Sequence, residues 1–214
     1  MTFLKEIYYG LLAFCLITLL FKYKRTDKAH FWFIPLLFLS IITQVTGDIL
    51  EYAGYTHFFV FHVYQPMEFL FLSIYYYYLF KPLVLKRLIL ISIPLFLAFH
   101  IFYYRTRFYN LDFTDFTIEA ILIFVWCMMY FIRLLKSEEQ IILSKDADFW
   151  INTANILFYT GCVLVMGIAK YFLSKNMTLR SQLFLINHLL NLLLYILYCI
   201  AFLCLNHSKK YNLS

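Results

Sequence analysis

Seven apolar runs, each close to the roughly 20 residues a helix needs to cross the hydrocarbon core of a bilayer, constrain this chain more than any other feature. They cover residues 4–22, 31–54, 57–80, 83–104, 114–135, 149–173 and 183–205. Hydrocarbon offers the backbone no hydrogen-bonding partner, so runs of this length must satisfy their own N–H and C=O groups as helices. Composition points the same way. The chain is 64% hydrophobic and 14% charged, too little polar surface to cover a water-facing globule. The expectation is an all-α polytopic integral membrane protein: a seven-transmembrane-helix bundle forming one transmembrane domain over residues 1–214.

The count depends on the join between the second and third runs, Glu51 to His57. Gly54 is the natural breaker there for a tight helical hairpin; without it the two runs would merge into one bent element. The first run lacks a small-residue cleavage site and stops at Lys22, Lys24 and Arg25. It reads as a retained helix, not as a signal peptide.

Orientation follows from lysine and arginine. One side collects Lys22, Lys24, Arg25, Lys28, Lys81, Lys86, Arg87, Arg133, Lys136, Lys145, Lys209 and Lys210. The other holds Lys5, Arg105, Arg107, Lys170, Lys175 and Arg180. The richer side is expected to be cytoplasmic, which puts the N-terminus outside, the C-terminus inside, and the chain in a cytoplasmic (inner or plasma) membrane. These clusters sit between apolar runs and form no continuous basic stripe, so nucleic acid is not an expected partner.

The connections are short. The longest, Lys136 to Asp148, has room for an amphipathic turn with Asp146 or Asp148 capping the next helix. No nucleotide-binding, kinase or DNA-binding module fits between the runs. Any chemistry is expected inside the bundle, and any signal is expected to leave through a separate protein. The cysteines (Cys15, Cys127, Cys162, Cys199 and Cys204) lie within apolar runs at no metal-ligand spacing and read as buried, inert thiols. The Tyr75–Tyr78 run reads as an interfacial aromatic belt.

Ionisable groups inside a membrane cost about 2.5–3.5 kcal/mol each on insertion scales and therefore face a bundle interior or a cavity. In the second run Ser40, Gln44, Asp48, Glu51 and Tyr55 recur at helical spacing within an arc of about 80°. The third run aligns His57, Tyr64, Gln65 and Glu68. Glu68 lies about 16 Å below the outer end, and Pro66 beside it can release backbone groups. The fifth places Asp112, Asp115 and Glu119 on one stripe, followed by Trp126 and Tyr130. The sixth aligns Asn152, Asn155 and Tyr159, with Lys170 near its outer end. The seventh offers Asn187, His188, Asn191, Tyr195 and Tyr198. The first and fourth runs are nearly apolar apart from His100.

Candidate ligand- or ion-binding residues are therefore Gln44, Asp48, Glu51, Tyr64, Gln65, Glu68, Glu119, Lys170, His188 and Asn191, sharing an outward-facing polar pocket. The bland alternatives are specific. Gln44 and the asparagines serve equally as interhelical glue, worth about 0.6 kcal/mol each on average. Lys170 can snorkel to the interface. Asp112 and Asp115 read as a solvated loop or helix start, and His57, His62 and His100 as interfacial. Asp48, Glu51 and Glu68 resist the glue reading, since an amide would do that job at lower cost.

Four carboxylates facing one lysine and one histidine cannot all ionise in a low-dielectric site unless an external cation completes the balance. The outward polar cavity, together with the absence of a cytoplasmic effector module, favours a receptor-like or sensory module that takes a small ligand or cation and signals through a separate partner. An intramembrane enzyme acting on a lipid or lipid-linked substrate is the alternative, with Asp48, Glu51 or Glu68 as acid or base and a metal at His188 optional. A proton- or ion-conducting bundle is a third reading. No cofactor or metal set is written in the spacing. The seventh run has no lysine to carry retinal as rhodopsins do. Its lone His188 also lacks the paired histidines of the intramembrane zinc hydrolases of the alkaline-ceramidase type.

Overall fold

The computed structural model of the chain describes residues 2–22, 26–105, 114–137, 142–172 and 177–205; within these, the side chains of 2, 3, 58, 169–172, 177–181 and 184 are excepted. All regular structure among the described residues is helical. Its elements are α1 (Thr2–Lys22), α2 (Lys28–Phe31), α3 (Phe33–Tyr52), α4 (Phe58–Leu79), α5 (Leu83–Tyr104), α6 (Thr114–Lys136), a 3₁₀ turn (Leu143–Lys145), α7 (Ala147–Phe172) and α8 (Met177–Cys204). Six segments are long and apolar enough to cross a membrane: Leu4–Lys22, Lys28–Tyr52, Leu83–Tyr104, Thr114–Lys136, Ala147–Ile168 and Leu185–Cys204. The chain is an integral membrane protein on that basis. Helix α4 is as long as its neighbours but carries His62, Gln65, Glu68 and four consecutive tyrosines, and it is not among the six.

Two compact units are present. One holds Leu19–Glu119. The other holds the described residues up to Thr18 and those from Ala120 to Leu205.

In the Leu19–Glu119 unit, α3 and α4 form an antiparallel hairpin. Ser40 meets Tyr64 (2.9 Å), Phe33 packs on Tyr75 (ring centroids 5.1 Å), and Gly47 faces Phe61 at the opposite end. The turn is built on Gly54, at φ +78 the positive-φ position among the described residues. Gly54 stands where α3 would otherwise continue, and Tyr55 N–H reaches back to the Leu50 carbonyl at 2.9 Å. Such a left-handed closure satisfies carbonyls that a helix end leaves orphaned. Helix α5 then lies antiparallel to α4, with Phe69 on Phe96 (4.4 Å) and His62 on Tyr104 (4.0 Å).

Tyr75 and Tyr76 are fully buried, which corrects their reading as belt residues. Their rings fill the gap among His30, Phe33 and Phe80 at the end opposite Gly54, leaving Tyr78 as the exposed member of the run. Aromatic runs mark an interface only where the helix face meets headgroups; here the face meets other helices.

In the other unit, α7 and α8 pair antiparallel along their length. Tyr198 Oη donates a short hydrogen bond to Asn155 Oδ1, and Cys162 Sγ donates to Asn187 Oδ1 at 3.3 Å. Gly161 permits the close approach, since a Cβ there would lie 2.7 Å from Leu190 Cδ2. Asp146 starts α7. Its Oδ1 accepts the Asp148 N–H at 3.1 Å, the bond expected of an N-cap, while its Oδ2 accepts from Tyr130 at 3.0 Å. Helix α1 runs in the same direction as α8: Tyr8 packs on Tyr195 (5.3 Å) and, one to two turns further along both, Cys15 meets Cys199.

Candidate functional site

The most concentrated polar chemistry lies in the Leu19–Glu119 unit, at the end carrying the Gly54 turn, and it centres on Asp115. This residue occupies the first turn of α6 and is fully buried. Its Oδ1 accepts from Tyr104 Oη at 2.8 Å and from the Phe116 backbone N–H at 2.8 Å. Its Oδ2 faces two imidazoles, His100 Nδ1 at 3.2 Å and His62 Nδ1 at 4.0 Å. The His100 approach is at ion-pair distance but lacks hydrogen-bond alignment. The rings themselves are packed, Tyr104 lying 4.0 Å from His62 and 5.0 Å from His100 between centroids. Three helices thus contribute: His62 from α4, His100 and Tyr104 from α5, Asp115 from α6.

Local sequence explains the convergence. The last turn of α5 and the first of α6 sit side by side, as Tyr103 Oη donating to Thr114 Oγ1 (3.2 Å) marks. A carboxylate in a first helical turn is favoured by the positive end of the helix dipole. Glu119, also fully buried, follows Asp115 by four residues and so sits on the same face about 6 Å deeper. Gln65, three residues beyond His62, is buried with its Nε2 outside any hydrogen bond among the described residues.

Two expectations are overturned here. Asp115 is not a solvated helix start, and His62 and His100, at 5% and 6% exposure, are not interfacial. The physical reason is pairing. Each group alone belongs near water at a helix end, but here the Tyr104 phenol and the Phe116 N–H occupy Asp115 Oδ1 while the two imidazoles stand at ion-pair distance from Oδ2.

The other predicted residues are distributed as follows. Gln44, Asp48, Tyr64 and Glu68 are half-buried on α3 and α4, and Glu51 is exposed at the end of α3. The two stripes meet at Ser40 and Tyr64. His188 and Asn191 are half-buried on α8, in the other unit, where Asn191 Nδ2 donates to the Asn187 carbonyl at 2.9 Å. Asp112 and the side chain of Lys170 lie outside the described residues. Among the described residues no three His, Cys, Asp or Glu side chains stand in metal-holding geometry.

Set beside protein-family models, curated proteins and solved structures, the chain matches none. The site's chemistry must therefore be read from its own geometry. A carboxylate with an imidazole on one oxygen and a phenol on the other can accept a proton or exchange a cation. Any change in its charge is felt on three helices at once.

Proposed function

We propose that this chain is a receptor-like or sensory membrane module with seven spans, its N-terminus outside and its C-terminus in the cytoplasm, in a cytoplasmic (inner or plasma) membrane. It takes a small ligand or cation at acidic residues in its outer half and passes the response to a separate partner protein. The observation that carries this reading is the convergence of α4, α5 and α6 on buried Asp115 through His62, His100 and Tyr104. The basic-residue asymmetry assigns that end to the outside. Protonation, or arrival of a cation, changes the attraction between Asp115 and its imidazoles and so biases how three helices pack.

The seventh span is α4. Its antiparallel pairing with α3 from Phe33–Tyr75 to Gly47–Phe61, and with α5 from Phe69–Phe96 to His62–Tyr104, supports a full crossing despite its polarity. The shared direction of α1 and α8 is independent support, because an even number of crossings leaves first and last spans antiparallel. Reporter fusions at the two termini should therefore read opposite faces of the membrane.

The functional test is hydrogen–deuterium exchange on the protein in lipid nanodiscs. Buffer would be stepped from neutral to mildly acidic and, separately, supplemented with calcium, zinc or tetramethylammonium. At least one of these should alter protection across α4–α6 in the wild type and not in Asp115→Asn or Glu119→Gln. Asp48→Asn and Glu68→Gln would establish whether the α3–α4 acids belong to the same response. Profiles unchanged by every probe would sink the reading.

The His100–Asp115 approach also has the form of an acid–base pair, which favours an intramembrane enzyme as the second reading. Turnover of a supplied lipid or lipid-linked substrate that is lost in His100→Gln, with exchange profiles unaffected by ions, would select it.

A further inference from the structure

The first and last long helices meet through a pair of thiols. Cys15 Sγ and Cys199 Sγ stand 2.8 Å apart, although 184 residues separate them in sequence. Their seating is reciprocal. Cys15 Sγ donates to the Tyr195 carbonyl at 3.4 Å and Cys199 Sγ to the Leu11 carbonyl at 3.8 Å. Leu11 and Tyr195 each precede a cysteine by four residues, so each thiol reaches the turn of the facing helix that leads into its partner. Cys15 is fully buried and Cys199 nearly so.

Thiols are weak donors and weak acceptors, and the two carbonyls would satisfy both without bringing the sulfurs together. A disulfide has its sulfurs at about 2.05 Å, so less than 1 Å of closure separates this contact from a covalent bond. The other cysteines are engaged differently: Cys162 Sγ donates to Asn187 and Cys204 Sγ to the Ser144 carbonyl.

We infer that Cys15 and Cys199 form a reversible redox pair whose oxidation ties α1 to α8 by an intramolecular disulfide. Both residues lie inside apolar spans, Cys15 about 10 Å from the Lys22 end of its helix. The fitting oxidant is therefore a quinone dissolved in the bilayer. In the reaction two S–H bonds break and one S–S bond forms. The two electrons and two protons pass to the quinone, which leaves as a quinol. The disulfide pins the first span to the last and prevents the two from sliding; a dithiol reductant releases them.

The test uses the full chain in nanodiscs, a short-chain ubiquinone analogue as probe, maleimide labelling, and peptide mapping without reductant. Quinone should remove two of the five alkylatable thiols. It should also yield one linked peptide pair containing Cys15 and Cys199, which dithiothreitol separates. Cys15→Ala and Cys199→Ala should each abolish the link, while Cys127→Ala and Cys162→Ala should leave it. Mapping the wild type alone decides the matter if a variant fails to fold. A chain that keeps all its thiols under quinone, or links any other pair, overturns the inference.

Discussion

Tyr104→Phe removes one oxygen and nothing else from the Asp115 cluster. The ring that packs 4.0 Å from His62 is retained; the hydroxyl that donates to Asp115 Oδ1 at 2.8 Å is lost. Both partners are buried, at 2% and 0% exposure, so no water replaces the missing donor. An interhelical polar contact in a membrane averages about 0.6 kcal/mol. A hydrogen bond to a charged group contributes about 1.5–3 kcal/mol. Because Asp115 faces two imidazoles as well as the phenol, the larger figure applies, and Tyr104→Phe should destabilise by about 1.5–3 kcal/mol. Asp115→Ala removes the carboxylate that His100 Nδ1 approaches at 3.2 Å and should cost about 3–5 kcal/mol, the range for breaking a buried pair. Once Asp115 is gone the hydroxyl has lost its acceptor, so the double variant should cost little more than Asp115→Ala alone. The resulting coupling energy is then about 1.5–3 kcal/mol, measurable as a double-mutant cycle by unfolding in mixed detergent micelles monitored by circular dichroism. A coupling near 0.6 kcal/mol or below would place Asp115 among ordinary interhelical contacts and refute the charge-assisted cluster on which the functional proposal stands.

Gly54→Ala puts a Cβ into a left-handed backbone position (φ +78) and should cost about 1–2 kcal/mol in the same assay, although nothing crowds the added atom. A loss below about 0.3 kcal/mol would mean the turn rearranges freely. Asp146→Ala removes both the α7 cap and the acceptor of Tyr130, and should cost about 1–3 kcal/mol from the cap and the hydrogen bond together. Asp146→Asn should recover most of that, since its Oδ1 can keep the cap while its Nδ2 donates to the Tyr130 hydroxyl oxygen. Equal losses in the two variants would show that charge, not capping, is the contribution.

The helices were legible because a bilayer demands long apolar runs. The runs 83–104 and 114–135 reappear as α5 and α6 to within a residue, and Gly54 breaks the α3–α4 hairpin as its composition implies. The second run is subtler. Its helix α3 begins only at Phe33, and Trp32, three residues before Pro35 whose ring nitrogen has no hydrogen to give, separates it from α2, which starts ahead of the run at Lys28. Partner choice was not legible at all. Cys15 and Cys199 sit in the first and last runs with no motif between them, and only the packing of α1 on α8 brings them together.

The same distinction separates the stripes that periodicity reveals from the cluster that packing assembles. A stripe of polar residues on one helix announces a seam. The Asn152–Asn155–Tyr159 stripe and the stripe running from Asn187 to Tyr198 resolve into the α7–α8 contact, with Tyr198 on Asn155 and Cys162 on Asn187. Bonds of that kind leave two helices satisfied and little chemistry to spare. His62, His100 and Asp115 form no such stripe. They stand on three different helices, each close enough to a helix end to pass for a solvated residue, and beyond Arg87 His100 is the one His, Asp, Glu, Lys or Arg of α5. Single polar groups from several helices that bury one another form a node, in which altering one group's charge affects all the others. The sequence property that would reveal it is therefore not spacing within a helix but shared depth between helices. His62, His100 and Asp115 each fall within about five residues of the same membrane face, a coincidence visible only once the crossings have been ordered.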